Sequence, residues 1–252
     1  MVQTLLAPLC ISDSALVHLN RCIFGTATNA WYEGHGGHVT WAAFSEVGEV
    51  GELDFLTTHW DTELDFNTEH PGQQVLEKMV SGLYLGELIR IILVDLRTRG
   101  LVLVGQESVL SSLSTPGSFT TQFMCEVEGY PLGEFNLCYE VWRKLGEDQV
   151  SEEDCFTLRS VCQAVYRRCC QLLAAGIAAI LWGNDVGVEV AVTVGVLRFH
   201  PYFVRTIELR VQELMGAQFH INIECRSMDR PGRGDVHAIM TYAFQEDQAL
   251  EN

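Results

Sequence analysis

The chain has 252 residues, of which 48% are hydrophobic and 19% charged, a balance that permits a sizeable core and excludes global disorder. It carries 33 Asp and Glu against 16 Lys and Arg, a net charge of −17, so it lacks the basic surface that neutralises nucleic-acid phosphates. Nucleic-acid binding is therefore excluded as the main role, while ATP binding is not, because a local turn with Mg²⁺ can carry that charge.

No apolar run reaches the ~18 residues of a membrane span. The first residues, MVQTLLAPLCISD, have neither a basic n-region nor a clear cleavage site, and a cytoplasmic protein is expected. Residues 16–24 and 39–44 read as short strands on either side of a Gly-rich turn. Between them lies GTATNAWY, Gly25 to Tyr32. Small hydroxyl residues beside a glycine suit either a phosphate-binding turn or an ordinary loop, and residue types alone leave both open. The stretch DFLTTHWDTELDFNTEHPGQQ reads as polar and turn-rich, closed by Pro71-Gly72. A long helical pattern follows, with Leu76, Met79, Val80, Leu83, Leu88, Ile91 and Ile92 on its apolar face. Arg97 and Arg99 occupy its last turn and Gly100 stops it.

A second long helix is predicted from about Ser151 to Trp182, with Ser151 and Asp154 as an N-cap pair. Leu158, Val161, Cys162, Val165, Cys169, Leu172, Leu173, Gly176 and Ile180 form its predicted buried face. Val188 to Val196 is β-branched and reads as a buried strand. A third helix is predicted over about Pro201 to Met215, then a strand FHINIEC, a turn DRPGRGD and a final helix from Val236. Strands alternating with long helices indicate an α/β domain with a largely covered sheet. The nine cysteines have no paired spacing. Cys155, Cys162 and Cys169 recur every seven residues, as buried reduced thiols along one helix stripe would. The eight histidines are scattered, and no protein-bound metal is expected.

Several segments together resemble one family, the animal hexokinases and glucokinases. GTATNAWY is similar to that family's GTGxNACY, and HVTWAAFS, His38 to Ser45, to its NTEWGAFG. HPGQQVLEKMVSGLYLGELIR, His70 to Arg90, resembles its NPGKQ–FEKM(V/I)SGMYxGELVR almost throughout. VGVLRFHPYF keeps both ends of its VGVDG(S/T)xYKxHPxF, and SMDRPGRGDV, Ser227 to Val236, stands where it has SEDGSGxGAA. The resemblance implies the large domain of that family over residues 1–252: an actin-like, ribonuclease-H-like ATPase fold with a mixed sheet and long helices. It also implies that the smaller domain, with the first phosphate loop, is absent from this chain.

The implied activity is ATP-dependent phosphorylation of a hexose such as glucose at its 6-hydroxyl, with Mg²⁺ accompanying ATP. Such a transfer needs donors for the phosphates, polar groups for the sugar and a carboxylate to take the hydroxyl proton. The resemblance assigns Asn29 and Glu77 to the sugar, and Gly25, Thr26, Gly82, Thr121, Ser227 and Gly232 to the nucleotide. It also shows departures. Thr40 stands where a second sugar-binding Glu would be, Ala27 replaces a glycine, and Arg230 and Pro231 replace Gly and Ser. The family's Asp-Gly is missing between Val196 and Leu197. The catalytic Asp of an Asn-Asp-Thr segment falls on Gln3, whose amide cannot accept a proton at neutral pH. Asp13 is the only carboxylate before Gly25, and it is out of that register. Little or no phosphotransfer is therefore expected from this chain. The alternatives are a non-catalytic sugar-binding or interaction domain, or a fragment of a longer hexokinase.

Overall fold

The computed structural model describes residues 20–24, 28–33, 39–42, 53–105, 112–129, 134–181, 190–194 and 196–216. Three strands come first: β1 (Asn20–Phe24), β2 (Thr28–Glu33) and β3 (Val39–Ala42). β4 (Val190–Val194) joins them after the helices. The sheet order is β3-β2-β1-β4. β1 and β2 are antiparallel with Ile23 opposite Asn29, as are β2 and β3 with Tyr32 opposite Thr40. β1 and β4 run parallel, with Cys22 opposite Val192. The sheet is thus mixed, as expected. Parallel neighbours need a long crossover, and the helical block between β3 and β4 supplies it.

That block contains α1 (His59–Phe66), α2 (Val75–Val80), α3 (Leu85–Thr98), α4 (Thr121–Glu128), α5 (Asn136–Lys144) and α6 (Glu152–Leu181). α7 (Phe203–Met215) follows β4. Two differences from the sequence reading stand out. The polar stretch after Leu53 is not all turns, because it folds into α1. Thr58 caps that helix: its backbone N–H and hydroxyl donate to Asp61 Oδ2 at 2.8 and 2.7 Å. Asp61 in turn receives the Arg168 guanidinium of α6 on both oxygens at 2.7 Å. Burial pushes the Asp61 carboxyl up, but Arg168 and Thr58 more than offset this and hold it below the usual carboxylate range.

The second difference lies between Leu76 and Gly100. One continuous helix was expected, and two are found. Ser81 adopts an extended conformation, φ −74° and ψ 135°, and ends α2. Leu83, expected on the apolar face, sits in the resulting turn at 59% exposure. Met79, Val80, Leu88 and Ile91 are buried as expected, and Gly100 closes α3 at φ +69°. β2 and the helices α4 and α5 are also additions to the sequence reading. The predicted strand FHINIEC, the turn DRPGRGD and the helix from Val236 lie outside the described residues.

α6 is the spine of the helical block and packs against α2, α3, α4, α5 and α7. Leu158, Cys162, Val165, Cys169 and Leu173 are buried on it as predicted, and Cys155, Cys125 and Cys138 join them as free thiols. Burial pushes the Cys125 and Cys155 thiols up to about 12, so these groups pack as small apolar side chains rather than react. His200 is stacked on the Tyr166 ring at 3.6 Å, and burial pushes its imidazole down to about 4, keeping it neutral.

The start of α6 is fixed by one carboxylate serving two segments. Asp154 Oδ2 accepts from the Ser151 N–H at 3.0 Å and hydroxyl at 2.7 Å. Its Oδ1 accepts from the buried Leu103 N–H at 2.6 Å, where Leu103 holds φ +51°. Asp154→Ala removes a cap and strands a buried donor, so it is expected to cost about 2–3 kcal/mol in a thermal melt. A loss below about 0.5 kcal/mol would show that the 101–105 turn does not depend on this carboxylate. Among the described residues no helix is long and apolar enough to cross a membrane.

Candidate functional site: the α2–α3 turn and the start of α4

Glu77 lies in the first turn of α2, which Gln74 opens in a left-handed conformation at φ 57°. Its residue is 7% exposed, and its carboxylate accepts no hydrogen bond from any described residue. Burial pushes the carboxyl up to about 7, and the Lys78 charge only partly offsets this. Lys78 points elsewhere. Its Nζ donates to Asp65 Oδ1 at 2.6 Å and to the His70 carbonyl at 2.7 Å. Tyr84 faces the same environment: burial, then the Glu77 and Glu69 carboxylates, push its hydroxyl up. A buried carboxylate without a partner is costly, so it is a candidate for a ligand's hydroxyls.

The chain then turns at Ser81–Tyr84, and Gly82 is drawn to the start of α4. Thr121 Oγ1 donates to the Gly82 carbonyl at 2.6 Å and accepts from the Gly86 N–H at 3.0 Å. The single hydroxyl proton is thus committed to protein, which makes the Thr121 side chain a strut of the turn. Gly86 is held closely against this strut. A Cβ there would lie 2.4 Å from the Phe119 carbonyl oxygen and 2.5 Å from the Thr121 nitrogen. Glu87 locks the preceding loop by accepting from the Gly117 N–H at 2.7 Å and from Arg90 Nε and Nη2 at 2.8 and 2.6 Å. Arg90 Nη1 reaches the Leu113 carbonyl at 2.9 Å.

Of the residues predicted from sequence, Gly82 and Thr121 are therefore in direct contact. Glu77 is linked to their turn through the Ser81 N–H, which donates to the Glu77 carbonyl at 2.7 Å. Asn29 and Thr40 lie on the adjacent strands β2 and β3, with backbones paired to Ile23 and Tyr32. GTATNAWY divides at Thr28, where β2 begins. Gln3, Asp13, Gly25, Thr26, Ser227 and Gly232 lie outside the described residues. Sequence reasoning missed Gly86 and the Asp65–Lys78 pair. A glycine inside a helical pattern was the available signal for the first. Nothing in the sequence marked the second, because Asp65 lies in the stretch read as turns.

A family model described as hexokinase matches residues 21–234. Hexokinase HKDC1 of Homo sapiens is 40% identical over 181 residues, which is 69% of this chain and 19% of that protein. Hexokinase-2 of Rattus norvegicus is 34% identical over 214 residues, 77% of this chain and 23% of that protein. This chain thus spans about a quarter or less of the length of those relatives. Among solved structures, a hexokinase from Schistosoma mansoni complexed with glucose aligns with 85% of this chain and 51% of its own, at TM-score 0.74 and 32% identity. Another hexokinase crystal structure, 21% identical, shares the fold at TM-score 0.66. With its family model matched across most of the described residues and beyond, the chain belongs to the hexokinase family.

Proposed function

We propose that this chain is the large, actin-like half of a hexokinase, and that it binds a hexose such as glucose while transferring phosphoryl poorly if at all. The observation that carries the sugar reading is Glu77, a buried carboxylate with no hydrogen-bond partner among the described residues, on the most family-like segment of the chain. Glu77 accepts from two sugar hydroxyls, and Asn29 supplies both a donor and an acceptor. Thr40 offers one hydroxyl where the family has a carboxylate, which weakens sugar binding by ~1–3 kcal/mol.

Gly25, Thr26, Gly82, Thr121, Ser227 and Gly232 are assigned to the nucleotide side. ATP supplies the phosphoryl group, and the Mg²⁺ that travels with it neutralises phosphate charge. Transfer then lacks a proton acceptor, since Gln3 occupies the position of the family base. The cytoplasm, where ATP and hexose meet, is the proposed location. A second reading, in which these residues form one half of a longer hexokinase, is supported by the 51% coverage of the glucose-bound structure.

A coupled assay for hexose 6-phosphate tests this. With MgATP and glucose the unmodified chain is expected to show no turnover above background. Activity appearing only in Gln3→Asp supports the assignment of position 3. Turnover by the unmodified chain contradicts it.

A further inference from the structure

We propose that Asp65 is a positioning residue for the sugar-binding carboxylate: by holding the Lys78 ammonium, it keeps Glu77 unpaired and available to a polyol's hydroxyls. This rests on the sugar reading of Glu77. The geometry is specific. Lys78 directly follows Glu77 and is 3% exposed, so a buried cation lies beside a buried anion. If the ammonium were free to swing back towards Glu77, the opposite charges would attract strongly at low dielectric, and the carboxylate would be partly neutralised before any ligand arrived. Here the ammonium is turned towards the end of α1 and the loop beyond it. Asp65 takes it at 2.6 Å, and the His70 carbonyl at 2.7 Å.

Asp65 is itself anchored. Its second oxygen accepts from the Gly72 N–H at 2.7 Å, and its carbonyl accepts from the Thr68 hydroxyl at 2.7 Å. One carboxylate therefore fastens both Lys78 and the 68–72 loop that leads into α2. Tyr84, in the turn after α2, feels the Glu77 carboxylate together with that of Glu69, in that same loop, and both push its hydroxyl up. From α6, Cys169 donates to the Val80 carbonyl at the far end of α2. Among the described residues, neither offers Glu77 a competing cation.

The test is a double-mutant cycle of Asp65→Asn and Lys78→Met. It is read by glucose titration and by the Glu77 side-chain carboxyl resonance followed against pH. The NMR reading needs no ligand, so it judges this proposal even if glucose does not bind and the sugar reading falls. Each variant must first show the far-ultraviolet spectrum of the unmodified chain. With Lys78 present, Asp65→Asn is expected to lower the Glu77 titration midpoint by about one pH unit and to weaken glucose about tenfold. In the Lys78→Met background the same substitution is expected to change neither. A drop that persists without Lys78 would show that Asp65 acts on Glu77 directly and would overturn the proposal. So would a Glu77 midpoint unmoved by Asp65→Asn.

Discussion

Glu77→Gln is expected to raise the melting temperature at pH 8 while weakening glucose binding. Burial raises the Glu77 pKa from 4.5 to about 7. Between those values the folded chain holds a proton that the unfolded chain releases. Folding stability attributable to this group therefore falls as pH rises through that window, and stays reduced above it. The raised pKa corresponds to about 2–3 kcal/mol at pH 8, after allowance for residual solvation. A neutral amide of the same shape avoids that cost. The gain should shrink as pH falls and vanish below the unfolded-state pKa of 4.5, where the carboxyl is protonated in both states. Glucose binding moves the other way, since an amide replaces one charged acceptor with a donor; a loss of about 10–100-fold is expected. Gain of stability with loss of binding is the signature of a strained functional group. A Glu77→Gln chain no more stable than the parent at pH 8 would show that the carboxylate finds compensation after all.

Gly86→Ala is expected to destabilise the fold by about 2–3 kcal/mol, although alanine is the better helix former. Propensity favours the change by about 1 kcal/mol. Against it stand backbone atoms of Phe119, Thr120 and Thr121 at 2.4 to 2.6 Å from the new methyl. None is the tip of a movable side chain, so α3 or the start of α4 must shift, at a cost of about 1–3 kcal/mol or more. That shift also breaks the Thr121 bridge between Gly82 and Gly86, worth about another 1–2 kcal/mol as a buried bond. Gly100→Ala is the comparison. Nothing lies within 4 Å of its Cβ, and only the left-handed φ of +69° penalises it, by about 1 kcal/mol. Denaturant midpoints should therefore rank the parent above Gly100→Ala and that above Gly86→Ala. Equal midpoints for the two variants would mean that α3 does not press on residues 119–121.

The long helices and the buried Glu77 were legible for different reasons. α6 announces itself through the Ser151–Asp154 cap and an apolar stripe that stays in phase from Leu158 to Leu173. Its predicted span of about 151–182 falls on Glu152–Leu181. The break between α2 and α3 was hidden because Leu83 keeps helical phase, whereas the turn is set by Thr121, far along the chain, gripping Gly82. α1 was hidden for a related reason. Its sequence is polar, and what holds it is the Asp61–Arg168 pair across 107 positions. Local pattern cannot report a partner that distant. Glu77 alone reads as a solvated helix residue; only its family-like surroundings singled it out, and its burial is a product of tertiary packing. The Asp65–Lys78 clip needed both the unforeseen helix and the fold.

Calorimetric titration of the unmodified chain with glucose at pH 8 and pH 6 tests the sugar-binding reading most directly. If the ionised Glu77 receives the sugar hydroxyls, affinity should be about tenfold stronger at pH 8, and binding at pH 6 should release a proton to buffer. No heat at either pH, or an affinity that does not change between them, would contradict the assignment of Glu77 as the sugar-binding carboxylate.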